Sequence, residues 1–98
     1  VPITDGSVTD FTIETMREIT PEDVNKIFKK AAQGKLKGII QYSEDELVST
    51  DIIHNHHSAI YDAKLTTVVN GKFLKIVAWY DNEWGYSCRV VDMIKKIA

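Results

Sequence analysis

Residues 65–80, LTTVVNGKFLKIVAWY, place two β-rich runs on either side of the pair Asn70-Gly71. Both residues of such a pair accept a positive φ, and a two-residue link of this kind is the strongest short-range signal for a β-hairpin. A two-residue turn sets Val69 opposite Lys72, Thr67 opposite Leu74 and Leu65 opposite Ile76. The other face then carries Val68, Phe73, Val77 and Trp79. Both faces are substantially apolar, which predicts a hairpin covered on both sides.

Working upstream, Ala59 to Tyr61 reads as a short strand, and the polar run His54 to His57 as a loop. Leu47 to Ile53 is expected to be extended, although Ser49, Thr50 and Asp51 weaken the pattern. Gly38 to Tyr42 is a further strand, closed by the acidic turn Ser43-Glu44-Asp45-Glu46. Before it stands a well-signalled helix. Thr20 suits the cap, Pro21 the first turn, and Glu22 and Asp23 the positive end of the helix dipole. Asp23, three residues after Thr20, makes a weaker version of the capping box. Val24, Ile27, Phe28, Ala31 and Ala32 recur on one face, and Gly34 closes the run. Ser7 to Met16 is a strand that alternates Phe11 and Ile13 with Thr12 and Glu14.

Downstream of the hairpin, a second helix begins near Asn82 or Glu83. Tyr86, Val90, Met93, Ile94 and Ile97 form a stripe flanked by Trp84, Cys88 and Val91, which predicts deep packing. Two helices can cover one face of such a sheet but not both, so further chain or another subunit is expected to cover the rest.

The chain has 98 residues, 44% hydrophobic and 27% charged, the composition of one ordinary globular unit. No linker or repeat divides it. A net charge of -2 argues against a nucleic-acid or anionic-membrane partner. One cysteine, Cys88, rules out an intrachain disulfide and fits a reducing compartment, with the cytoplasm as the default. No signal or membrane-spanning segment is evident. The chain opens on Val1 rather than Met, read as an end made by processing, cleavage or design.

Few residues invite chemistry. His54, His56 and His57 share a loop, but no cysteine joins them and the spacing is not that of a helical ligand pair, so no metal site is expected. Cys88 falls within an apolar-striped helix, where cysteine acts as a small hydrophobe and not as a nucleophile. Glu44, Asp45 and Glu46 read as a solvated turn, and no Gly-rich phosphate loop occurs. The segment WYDNEWGYS, residues 79–87, crowds aromatic and polar groups at a strand–helix join, where ligand sites are commonly built. There Asn82 is either a helix cap or an amide able to pair with another planar amide.

The same segment, continued through Arg89-Val90-Val91-Asp92, resembles the C-terminal signature of the phosphorylating glyceraldehyde-3-phosphate dehydrogenases. The likeness spans residues 1–98. Val1-Pro2 with Ser7-Val8 and Asp10, the run Gly34-Lys35-Leu36-Lys37-Gly38-Ile39, Ser49, Asp51, His57-Ser58 and Asp62-Ala63 all match without insertion. The resemblance implies the C-terminal portion of a catalytic domain, of α+β class, with a mixed, mainly antiparallel sheet and helices on one face. It implies part of a cytoplasmic homotetramer that converts glyceraldehyde 3-phosphate, NAD and phosphate to 1,3-bisphosphoglycerate and NADH through a cysteine thiohemiacetal. The family's cysteine nucleophile, histidine base and NAD-binding Rossmann half would lie before Val1, so no catalytic residue carries over and the chain alone is expected to be inactive. Asn82 matches an asparagine that clamps the nicotinamide carboxamide, and Tyr86 an aromatic beside it. Cys88 departs from the family's small polar residue. Two rival readings are a fragment of an erythrose-4-phosphate dehydrogenase and a non-catalytic interaction fragment of the same fold.

Overall fold

In the computed structural model, which describes residues 4–97, the strand Phe73–Tyr80 (β5) organises the chain. Its long Val-, Ile- and Trp-containing run takes partners along both edges. On one edge it pairs antiparallel with Ser7–Glu14 (β1), from Ser7 opposite Tyr80 to Glu14 opposite Phe73. On the other it pairs antiparallel first with Thr67–Val69 (β4) and then with Ala59–Asp62 (β3). Ile40–Ser43 (β2) adds to β3 in parallel, with Tyr42 opposite Tyr61. The class is therefore the expected one, α+β with a mixed, mainly antiparallel sheet. The Val1-Pro2 part of the resemblance lies outside the described residues.

The helix Pro21–Gln33 (α1) starts as its sequence dictates. Thr20 Oγ1 accepts the Asp23 N–H at 3.2 Å while Asp23 Oδ2 accepts the Thr20 N–H at 3.3 Å, a closed capping box. Val24 and Phe28 then face the sheet and meet Tyr61, Ala63 and Leu74, with Ile19, Ile40, Tyr42, Val68 and Ile76 around them. Ile27, placed on that stripe by spacing, is instead 66% exposed, because α1 leans on β2 and β3 and leaves its far flank to solvent.

Three other expectations give way. The hairpin turn does form, with Asn70 at φ 53° and Gly71 at φ 74° and the Val69 carbonyl accepting from Lys72 N–H at 3.3 Å. However, the Lys72 carbonyl turns away from β4 to accept the Thr15 N–H at 2.8 Å. The ladder restarts one residue later, with Val69 opposite Phe73 and Val68 opposite Leu74. A slip of one residue exchanges faces, so Val68 joins the core and Thr67 leaves it. Residues 47–53 are not extended: Ser49–Ile52 is a 3-10 turn, its Asp51 carboxylate accepting the Val48 N–H at 2.8 Å and its Ile52 wholly buried.

The last helix, Trp84–Ile97 (α2), does not pack deeply. Only Gly85 is buried in it, and Val90, Met93, Ile94 and Ile97 of its apolar stripe stand in solvent. It is held by its first turns, which dock on residues 57–58, and projects from the sheet. Of the two helices, α1 alone covers a sheet face. On the opposite face Ile60 and Val77 are buried, but Val69 and Phe73, cross-strand partners, remain 53% and 45% exposed.

Candidate functional site

The join between β5 and α2 is three residues long, Asp81 to Glu83, and two adjacent side chains shape it. Asp81 is the cap. Its Oδ1 accepts the N–H groups of Glu83 at 2.9 Å and Trp84 at 2.8 Å, satisfying donors that the first helical turn leaves unpaired. Its Oδ2 accepts the His54 N–H at 2.8 Å. Burial alone would raise the Asp81 carboxyl, but the N–H groups of Trp84 and His54, then the Asp5 side chain and the Glu83 N–H, favour the charged form and bring it down to about 2.

Asn82 consequently does not cap the helix. Its Oδ1 accepts the Gly6 N–H at 2.9 Å and the Ser7 hydroxyl at 3.4 Å, fastening the join to the start of β1. Because a backbone N–H can only donate, the atom facing Gly6 is the amide oxygen. The –NH2 group is thereby left with two donors, and no acceptor engages it among the described residues. Asn82, Tyr86, Ser58, Tyr80, Asp81 and Arg89 line one cavity of about 300 Å³. The structure thus brings Asn82 and Tyr86 together.

Three further features of this cavity were not legible from the sequence. Arg89 reaches across the seam between α2 and the loop, its Nη1 donating to Ser58 Oγ at 3.3 Å and to the Gly38 carbonyl at 3.2 Å. Gly85 lets α2 approach the same loop, since a Cβ there would stand 2.7 Å from the His57 carbonyl oxygen. Asp81 was hidden by its neighbour, because Asp and Asn are equally good caps and spacing alone does not choose between them.

The other candidates disperse. His54 lies against the Trp84 ring at 4.8 Å, while the His56 and His57 rings meet at 4.0 Å, tilted by 34°. His57 Nδ1 donates to Asn55 Oδ1 at 2.8 Å, as the acceptor requires. Burial, then the neighbouring His56 and Arg89, lower the His57 pKa, which favours its neutral form. Among the described residues no three His, Cys, Asp or Glu side chains are grouped as a metal would need. Cys88 is half-buried in the second turn of α2. Among the described residues no helix is long and apolar enough to cross a membrane.

The family model described as "Glyceraldehyde 3-phosphate dehydrogenase, C-terminal domain" matches residues 1–82. The chain belongs to the glyceraldehyde-3-phosphate dehydrogenase family. It is 52% identical over its whole length to the cytosolic glyceraldehyde-3-phosphate dehydrogenase of Chondrus crispus, covering 29% of that protein. It is 48% identical to the glyceraldehyde-3-phosphate dehydrogenase of Atriplex nummularia, again over all of this chain and 27% of the relative. Against glyceraldehyde-3-phosphate dehydrogenase 3 of Saccharomyces cerevisiae the identity is 47%, over all of this chain and 30% of the relative. The chain therefore spans less than a third of these dehydrogenases. The family model ends at Asn82, whereas these relatives align through α2 and so include Tyr86.

Proposed function

We propose that this chain is the C-terminal portion of the catalytic domain of an NAD-dependent, phosphorylating glyceraldehyde-3-phosphate dehydrogenase. In this reading it supplies the wall that orients the nicotinamide ring. The observation that carries it is the amide of Asn82, whose oxygen is held by Gly6 while its donors stay available in a cavity shared with Tyr86. A carboxamide carbonyl accepts such donors, and fixing the carboxamide fixes which ring face meets the substrate. The chain's residues fit that end of NAD; contacts to its phosphates and adenosine belong to the rest of the dehydrogenase, as do the nucleophile and base. Glyceraldehyde 3-phosphate and phosphate are the substrates. The cytosolic relative in Chondrus crispus supports a cytoplasmic enzyme.

Changing Asn82 to Asp tests the clamp, because it keeps the oxygen for Gly6 and removes the amide donors. In the complete dehydrogenase the loss of a paired, buried contact is about 1–3 kcal/mol, and the NAD KM is expected to rise roughly tenfold to a hundredfold. Steady-state kinetics alongside thermal unfolding check it. An unchanged NAD KM beside a lowered melting point makes Asn82 only a tie between β1 and α2.

A homotetramer is part of the same proposal. Val69 and Phe73 on the face that α1 does not cover, together with the stripe of α2, leave apolar surface that a monomer of this chain cannot bury. Lys72, at the turn, is placed at the rim of a subunit contact. The chain on its own is expected to self-associate as its concentration rises, read by light scattering. A stable monomer at high concentration contradicts this.

A further inference from the structure

We infer that Asp81 is a positioning residue for Asn82, holding the join from within so that the neighbouring amide meets its ligand in one orientation. The inference rests on the reading of Asn82 given above. Asp81 is 1% exposed, and its carboxylate oxygens are occupied by the backbone of two separate segments. One oxygen grips the first turn of α2 and the other grips the loop at His54. Among the side chains of the join, it alone is bonded to both. A group so enclosed acts through its neighbour and not on the cofactor.

The loop side is specified with equal care. His54 holds φ 64°, a left-handed backbone that is unfavourable for a non-glycine residue and persists only where the surroundings over-determine it. Its N–H bond to Asp81 is one such constraint. Arg89 to Ser58, and Gly85 against the His57 carbonyl, clamp the same seam further along. Asn82 is therefore fixed at its side chain by Gly6, while Asp81 before it holds the N–H groups of Glu83 and Trp84 just after it. Releasing the Asp81 hold leaves the Asn82 side chain able to swing. A misplacement of about 1 Å at a positioning group can cost on the order of a hundredfold in rate.

A double-mutant cycle in the complete dehydrogenase tests this, using Asp81→Asn, Asn82→Asp and the two together, with NAD KM and kcat measured separately. If Asp81 acts through Asn82, Asp81→Asn raises the NAD KM roughly tenfold and adds little once Asn82 is already changed. Independent effects, multiplying in the double variant, overturn the inference. Should Asp81→Asn fail to fold, Asp81→Ser keeps a helix cap and gives up the grip on His54 and the side-chain bond with Asp5. The NAD KM is expected to rise in that variant too, with kcat changed less, and an unchanged KM overturns the inference. An Asn82→Asp variant with normal NAD KM sinks the Asn82 reading itself and Asp81's role with it. A raised KM there, with multiplying Asp81 effects, removes only the role of Asp81.

Discussion

Tyr61→Ala is expected to destabilise the fold by about 3–5 kcal/mol, the cost of emptying an aromatic site in a core that cannot collapse around it. Tyr61 is 2% exposed and lies at the centre of the packed face. Its ring stacks on Phe28 of α1 at 4.2 Å and on Tyr42 of β2 at 5.9 Å, so one side chain joins the helix to two strands. Its hydroxyl donates to Asn25 Oδ1 at 2.7 Å and is paired with the Thr66 hydroxyl, while Asn25 Nδ2 donates to the Ala63 carbonyl. Removing the ring leaves an apolar void and strands these polar groups together. Tyr61→Phe separates the two contributions: it keeps the stacking and should cost about 1–3 kcal/mol for the unpaired partners. Urea unfolding of both variants checks the ordering. A Tyr61→Phe loss equal to that of Tyr61→Ala shows that the hydrogen bonds, not the ring, hold this site. Domains of this size carry only about 5–15 kcal/mol in all, so Tyr61→Ala consumes a large part of the margin.

Gly85→Ala should be the more damaging change for function. In an exposed helix this substitution normally gains about 0.5–1 kcal/mol, because glycine gives up more backbone freedom on folding. Here the new Cβ would lie 2.7 Å from the His57 carbonyl oxygen, closer than the roughly 3.3–3.6 Å of a C–H···O contact. The neighbour is backbone and cannot rotate aside, so α2 must lift, at an overpacking cost of about 1–3 kcal/mol that outweighs the propensity gain. Lifting α2 carries Tyr86 with it and pulls at the join that holds Asn82. The expected result in the complete dehydrogenase is a raised NAD KM together with a lower melting temperature. A Gly85→Ala protein at least as stable as the parent, with unaltered kinetics, shows that the close approach is dispensable.

What the sequence makes legible is mostly what neighbouring residues decide. The start of α1 follows from Thr20, Pro21 and Asp23 alone, and the turn at Asn70-Gly71 from two residues with unusual backbone freedom. The register of that hairpin could not be read this way, because it depends on Thr15, far upstream, taking the Lys72 carbonyl. The same limit hides most of the site. Gly6 and Asn82, or Gly38 and Arg89, meet only once the sheet is built, and no spacing rule links them. Local chemistry leaves Asn82 either a cap or a pairing amide, and its clamp role, like that of Tyr86, comes from likeness to a family. The stripe on α2 shows the converse: its periodicity correctly gave a helix, but amphipathicity states that a face wants cover without stating which element provides it.

The central place of β5 also has a temporal meaning. During synthesis β1 is made well before β5, its partner strand among the described residues. Until β5 arrives, Phe11 and Ile13 on β1 belong to an unpaired edge, and neither sheet nor core can close. Such non-local pairing slows folding and prolongs the exposure of sticky strand edges. The nascent chain thus passes through a window in which the fold itself does not yet protect it from aggregation.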